Sequence, residues 1–286
     1  MHAIIRNGLE FFNQTNIQLS IPQHGSISIH ENKKQDSFCT VDHIGRADIE
    51  NIPLFKTLTM FTLFDFFIDL QSPSTSGQSF KKKYENLPSS NDREIILKET
   101  FRLAKIIRNS LVHNLSNSTL SDENLSISYT FQSTPFQLNI SKKGLILFNS
   151  IIYLFLSEKY GSGEYFLGCI RSMYHNMKNE ISQFQDEFDS ELGQLINDFK
   201  LNYILRDTLL NPSYTINNGL LTFSNIANVP NLGNLDLFIK LDDHIHLLPS
   251  EALDKNNTIT ISEIREKWSY TFTSPSHDNV NFSTEN

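Results

Sequence analysis

Along residues 92–116, apolar side chains recur three or four positions apart at Leu97, Phe101, Ala104, Ile107 and Leu111, continued by Leu115. That spacing is one face of an α-helix. Its start is marked by Asn91, a good N-cap, and by Glu94 three residues on, as in a capping box. "IPLFKTLTMFTLFDFFIDL" predicts a strongly apolar helix over 49–70, interrupted only by Lys56, Asp65 and Asp69. Further helices are predicted over 143–159 and 163–180, divided by Gly161 and Gly163, and over about 183–210, where Pro212 stops the pattern. "LEFFNQ" near the start of the chain has helical character as well.

Period-two alternation marks the strands. "GSISIHE" (25–31) reads as one strand, and "NLSISYTFQ" (124–132) with "FQLNIS" (136–141) reads as a hairpin broken around Pro135. "SYTINNGLLTFS" carries Asn-Asn-Gly between two alternating runs, a hairpin turn. "LDLFIKLDDHIHLL" predicts another strand, and Thr260 with Glu263 opens a short helix over "TISEIREKW". Residues 71–91, rich in Ser, Lys, Pro and Asn, read as a long loop, and the polar tail from 274 as disordered. The expected fold class is mainly α with β additions. An antiparallel helical bundle covers 46–210, with a β-hairpin insertion at about 124–141. A mixed α/β extension (1–45) precedes it and a β-rich accessory region (211–286) follows.

Composition narrows the function. The 286 residues carry a net charge of −8, which argues against a generally basic coat for nucleic acid. The charge is uneven. From residue 181 onward there are 6 Lys+Arg and 15 Asp+Glu, leaving 18 and 17 in residues 1–180. A polyanion-binding surface is therefore expected in the first two thirds. Cys39 and Cys169 are too few and too far apart for a disulfide framework or a zinc site, and free thiols fit a reducing cytoplasm. No secretory leader or membrane span is read from the sequence, because the longest apolar run, "GLILFNSIIYLFL", is too short to cross a bilayer. A cytoplasmic protein with no cofactor and no metal is the expectation.

The candidate chemistry lies at the end of the 92–116 helix, in "IIRNSLVHN". Arg108 borders the apolar stripe, so its stem lies along apolar surface and its guanidinium must find a partner. Asn109 and His113 are four apart and stack one turn from each other. Extended backward, that row gives Lys105, Arg102 and Lys98, a basic stripe leading to the Asn and His. Lys81, Lys82 and Lys83 in the preceding segment could add to it. A histidine beside an arginine suits acid–base chemistry next to a phosphate.

"RNSLVH", with its flank "FRLAKIIRNSLVHN", resembles the R-N-x-x-x-H signature of the HEPN superfamily (higher eukaryotes and prokaryotes nucleotide-binding). The resemblance implies a helical bundle that pairs as a homodimer, with both motifs facing one composite cleft. It also implies a metal-independent endoribonuclease of toxin–antitoxin, abortive-infection or phage-defence systems, with RNA as substrate and an antitoxin or defence protein as partner. Arg108, Asn109 and His113 would be catalytic, and Lys98, Arg102 and Lys105 would bind RNA. The same resemblance admits a non-catalytic dimerisation or nucleotide-binding module. One departure is Leu115, which stands where a subset of these toxins has a tyrosine that a partner enzyme modifies, so that mode of neutralisation is not expected.

Two other constellations are open on sequence. Asp65 and Asp69, four apart on a phenylalanine-rich helix, could hold Arg108, orient His113, help bind a metal, or form a solvated strip. Asp242, His244 and His246 share one face of a strand, as a metal half-site or as an ordinary polar face.

Overall fold

The computed structural model describes residues 5–9 in part, 24–30, 33–38, 53–113, 118–157 without 122, 163–203, 206–224 without 211, 226, 234–242 and 244–269. The helix expected at "LEFFNQ", Cys39, Leu115 and the tail from 274 lie wholly or largely outside these residues. The chain divides into two compact units. The first comprises 1–20, 43–158 and 170–199, and the second 21–42, 159–169 and 200–286.

In the first unit, α1 (Pro53–Gln71), α2 (Phe80–Asn86), α3 (Asp92–His113), α4 (Lys142–Ser157) and the larger part of α5 (Glu164–Asn179) accompany a four-stranded sheet. Its order is β3-β4-β5-β6, with β3 at Ser118–Leu120, β4 at Asn124–Phe131, β5 at Thr134–Ser141 and β6 at Ile181–Gln185. α1 packs on α3 and α4, and both of those helices pack on β4 and β5. The alternation seen in the sequence sets the sheet's inner face. Leu125, Ile127 and Tyr129 of β4 are buried directly opposite Ile140, Leu138 and Phe136 of β5.

The second unit is built on sheets. One five-stranded mixed sheet has the order β11-β10-β7-β1-β2, with β1 at His24–His30, β2 at Lys33–Phe38, β7 at Arg206–Leu209, β10 at Leu235–Leu241 and β11 at His244–Pro249. β7 runs parallel to both β1 and β10, so the N-terminal hairpin and the C-terminal strands share a sheet. A three-stranded sheet joins β8 (Tyr214–Asn217), β9 (Leu220–Phe223) and β12 (Thr258–Thr260), and α6 (Ile261–Lys267) follows. Arg206 is fully buried here between Asp236 (2.6 Å) and Glu251 (2.6 Å), and Tyr165 donates to Asp236 at 2.7 Å.

The molecule is thus an α/β fold, and the expected antiparallel helical bundle with minor β additions is incorrect. The largest local error is the helix expected over 183–210. Phe184, Phe188, Leu192 and Phe199 mimic a helical stripe, yet the segment forms β6, an irregular stretch and β7. Its backbone groups are satisfied by side chains instead of by a helix. Arg102 donates to Ser190 O and Glu191 O, Tyr174 to Gly193 O, and Lys178 to Leu192 O. Asp92 accepts from the N–H groups of Ile196 and Asn197.

Other boundaries shift for identifiable reasons. Residues 71–91 hold a short 3-10 turn and α2, whose N-cap Ser79 accepts from Lys82 N–H. Pro135 lies inside β5, opposite Thr130, and the hairpin turns at Gln132 and Ser133, which both adopt positive φ. "LDLFIKLDDHIHLL" is a hairpin of two strands rather than one, with Asp242 at positive φ in the turn. The Asn218–Gly219 hairpin and the Thr260 cap are as expected. No described helix is long and apolar enough to cross a membrane.

Candidate functional site

α3 is anchored at its start and open at its end. Asn91 Oδ1 accepts from Glu94 N–H at 3.0 Å, and Glu94 reaches back to Ser90 N–H and Ser90 Oγ. The Ser90 hydroxyl holds the Glu94 carboxyl below its ordinary value. Asp92, buried in the first turn, pairs with Arg171 at 2.7 Å.

The basic stripe leading from this end is not a surface. Arg102 is 1% exposed and makes a bidentate pair with Asp186, both contacts at 2.6 Å, plus a 3.3 Å bond to Glu99. Three aromatic rings surround it, those of Tyr84, Phe184 and Phe188. Lys98 donates to Leu87 O at 2.8 Å and lies over the Tyr84 ring. Lys105 is in contact with Glu187 and sits 5.3 Å from the rings of Phe80 and Phe136. Of these three residues, expected to grip RNA along one exposed row, Arg102 is committed to the interior, and the half-buried Lys98 and Lys105 are engaged by a carbonyl and a carboxylate. Distant partners overrode the simple helical-wheel reading, because Asp186, Glu187, Ser190 O and Glu191 O meet Arg102 and Lys105, while Leu87 O and Tyr84 meet Lys98.

The last turn behaves differently. Arg108 Nη1 donates to Asn109 Oδ1 at 2.9 Å and lies 3.1 Å from His113 Nε2, to which it donates in the tautomer that leaves Nε2 unprotonated. The three motif residues are therefore brought together by their own contacts. Among the described residues Arg108 has no carboxylate partner, and its guanidinium sits 5.9 Å from the Phe61 ring.

Asp65 and Asp69 serve neither Arg108 nor His113. They clamp the buried Lys83 at 2.8 and 2.7 Å. Burial alone would pull that ammonium down, but the two carboxylates outweigh it and raise its pKa. In the second unit Asp242 pairs with the exposed Arg265, and His246 is buried with its pKa lowered by desolvation. No metal-binding cluster occurs among the described residues.

Two recesses of the first unit meet at Asn109 and Phe80, which line both. The smaller, about 210 Å³, holds Phe61, Asp65, Gln78, Lys83 and Arg108. The larger, about 680 Å³, brings His113 and Asn109 together with Lys81, Lys105, Tyr129, Phe131, Phe136 and Glu187. Tyr129 and Phe136 stack across the β4–β5 pair with centroids 4.9 Å apart. Burial pushes the Tyr129 phenol up to about 12, with Asn109 pulling the other way. Burial pulls Lys105 down to about 8, with Lys81 and Arg102 adding to it and Asp186 opposing. The Glu187 contact likewise favours the charged form of Lys105.

Tyr129, Phe131 and Glu187 had no signal in the helix pattern. The hairpin register could have placed the two aromatics, but Glu187 is 82 residues from the lysine it meets. No protein-family model, curated protein or solved structure matches the chain.

Proposed function

We propose that the last turn of α3 carries a metal-independent endoribonuclease site of HEPN type. The observation that carries it is the contact set of one guanidinium with both Asn109 and His113 beside a recess large enough for a nucleotide. RNA supplies its own nucleophile. The 2′-hydroxyl loses its proton to a base and its oxygen attacks the adjacent phosphorus. The P–O5′ bond then breaks, and the departing oxygen takes up a proton. His113 moves these protons, Arg108 neutralises charge on the phosphate oxygens, and Asn109 fixes the guanidinium. The products are a 2′,3′-cyclic phosphate and a 5′-hydroxyl.

One imidazole cannot be the base and the acid at the same instant. A second copy of the chain, docked across a two-fold axis, supplies the other. Val112 (44% exposed) and the half-buried Leu111 lie beside the motif as apolar contacts for that copy. The proposal extends to a toxin–antitoxin or phage-defence setting in the cytoplasm, with a protein partner holding the activity in check, and it rests there on the resemblance of the motif alone.

The test is cleavage of RNA in EDTA by the purified protein and by His113→Ala. Loss of a positioned acid or base lowers the rate by about 10²–10⁴-fold. Equal rates would sink the catalytic reading. Lys105 and Lys83 are partnered by carboxylates, so the site's net positive charge is modest. That favours a second reading, a non-catalytic nucleotide- or RNA-binding module, which predicts binding without cleavage by either protein.

A further inference from the structure

Two residues that line the larger recess each carry a buried polar atom outside the hydrogen-bond network. The Tyr129 hydroxyl makes no well-formed hydrogen bond, with the Asn109 amide as its polar neighbour, and Glu187 Oε2 makes none. Tyr129 as a whole is only 6% exposed. Buried polar groups are almost always satisfied, so two orphans lining one recess point to a ligand that completes them. The carboxylate torsion of Glu187 is soft. One of its oxygens can therefore stay on Lys105 while the other turns to the recess.

The ligand's chemistry follows from what surrounds these atoms. Phe131, 60% exposed at the hairpin turn, offers a ring face to a flat heterocycle, and Phe80, stacked on Phe101 at 4.1 Å, lines the same recess. The same recess is lined by an acceptor, the Glu187 carboxylate, and by a donor, the Lys105 ammonium. Among the four RNA bases only guanine presents two adjacent N–H donors, N1–H and N2–H, next to an acceptor, O6. Adenine and cytosine place an unprotonated ring nitrogen where the carboxylate would need a proton. Uracil has a single N–H between two carbonyls.

We propose that this recess is a base subsite selective for guanine, with Glu187 accepting from N1–H and N2–H, Lys105 donating to O6, and Tyr129 and Asn109 closing the polar edge. His113 also lines the recess, and on the ribonuclease reading the 3′-phosphate of the bound nucleotide lies at the motif, which makes the base read the one on the 5′ side of the scissile bond. The inference rests on the ribonuclease reading only for where that phosphate sits.

The experiment is calorimetric titration of the full chain with guanosine, adenosine, cytidine and uridine 3′-monophosphates, which does not require cleavage. Guanosine 3′-monophosphate should bind about ten- to a hundredfold more tightly than the others. Glu187→Gln should erase that preference, and His113→Ala should keep it. If Glu187→Gln fails to fold, 1-methylguanosine 3′-monophosphate on the wild-type protein asks the same question, because it cannot donate from N1. It should bind no better than the adenosine nucleotide. Equal affinity for all four nucleotides, no binding at millimolar concentration, or undiminished binding of the 1-methyl analogue overturns the subsite. A guanine preference in a protein that leaves RNA intact keeps the subsite and removes the ribonuclease.

Discussion

The two halves of α3 carry similar charges and use them oppositely. From its start to Lys105, Asp92, Lys98, Glu99, Arg102 and Lys105 are held by Arg171, Leu87 O, Tyr84, Asp186 and Glu187. In the last turn, Arg108 is answered among the described residues by the neutral Asn109, by His113 and by the Phe61 ring, with no carboxylate. A cation that already has a carboxylate has little left to offer a phosphate, whereas one held by an amide and an imidazole is positioned without being neutralised. The first half is scaffold and the second half is available for chemistry. What separates them is the pair of carboxylates on Asp186 and Glu187, which meet Arg102 and Lys105 and not Arg108.

The largest expected effect separates the halves by rate. Arg108→Ala and His113→Ala should each lower RNA cleavage by about 10²–10⁴-fold, read in single-turnover assays in EDTA. Unchanged rates would erase the distinction. Next comes stability. Asp186→Ala strands the Arg102 guanidinium in the interior and should cost about 3–5 kcal/mol in urea denaturation. A cost near zero would mean that Arg102 finds water and the pair is peripheral. The cap at the scaffold end is smaller. Asn91→Ala should cost about 1 kcal/mol, with cleavage unaffected. Arg108→Ala should shift unfolding by no more than about 0.5 kcal/mol, since no buried carboxylate is stranded. A loss as large as that of Asp186→Ala would make the two halves alike.

The smallest effect concerns steering. Lys81 lines the larger recess and Lys82 is exposed one residue on. Changing both to Gln should reduce the slope of log affinity against log salt for single-stranded RNA by about 0.7 per lysine that contacts phosphate. The same double change leaves the interior untouched. Replacing Lys98, Arg102 and Lys105 together should instead unfold the first unit, and a folded triple variant with a flattened slope would restore the surface reading of that stripe.

Legibility varied by the range of the interactions involved. The caps of α3 and α6, the Asn218–Gly219 turn and the alternation of β4 and β5 depend on neighbours a few residues apart, and they were readable. The R-N-x-x-x-H cluster was readable for the same reason, because Arg108, Asn109 and His113 meet within one turn and a half of helix. The hairpin at 124–141 was legible but its turn was displaced to Pro135, and that at 235–249 was read as one strand, because positive φ at Gln132, Ser133 and Asp242 is adopted without glycine and the turns carried no conspicuous residue. Residues 183–210 were misread outright, since four aromatic or aliphatic residues at helical spacing cannot reveal that Arg102, Tyr174, Lys178 and Asp92 satisfy the backbone there.

By itself the sequence determined the helix that bears the motif, where that helix begins, the strand faces of the β4–β5 hairpin, and the adjacency of Arg108, Asn109 and His113. All of these follow from local backbone geometry and a period of 3.6 or 2. Only the tertiary structure decided that the chain is α/β, that Asp65 and Asp69 hold Lys83, and that Arg102 is buried on Asp186 while Tyr129, Glu187 and Phe131 join His113 around one recess. Those partners lie 18 to 84 residues apart where their separation is given by a hydrogen bond. Whether a charge ends in solvent or in a pair then depends on which distant segment covers it, and no local pattern encodes that.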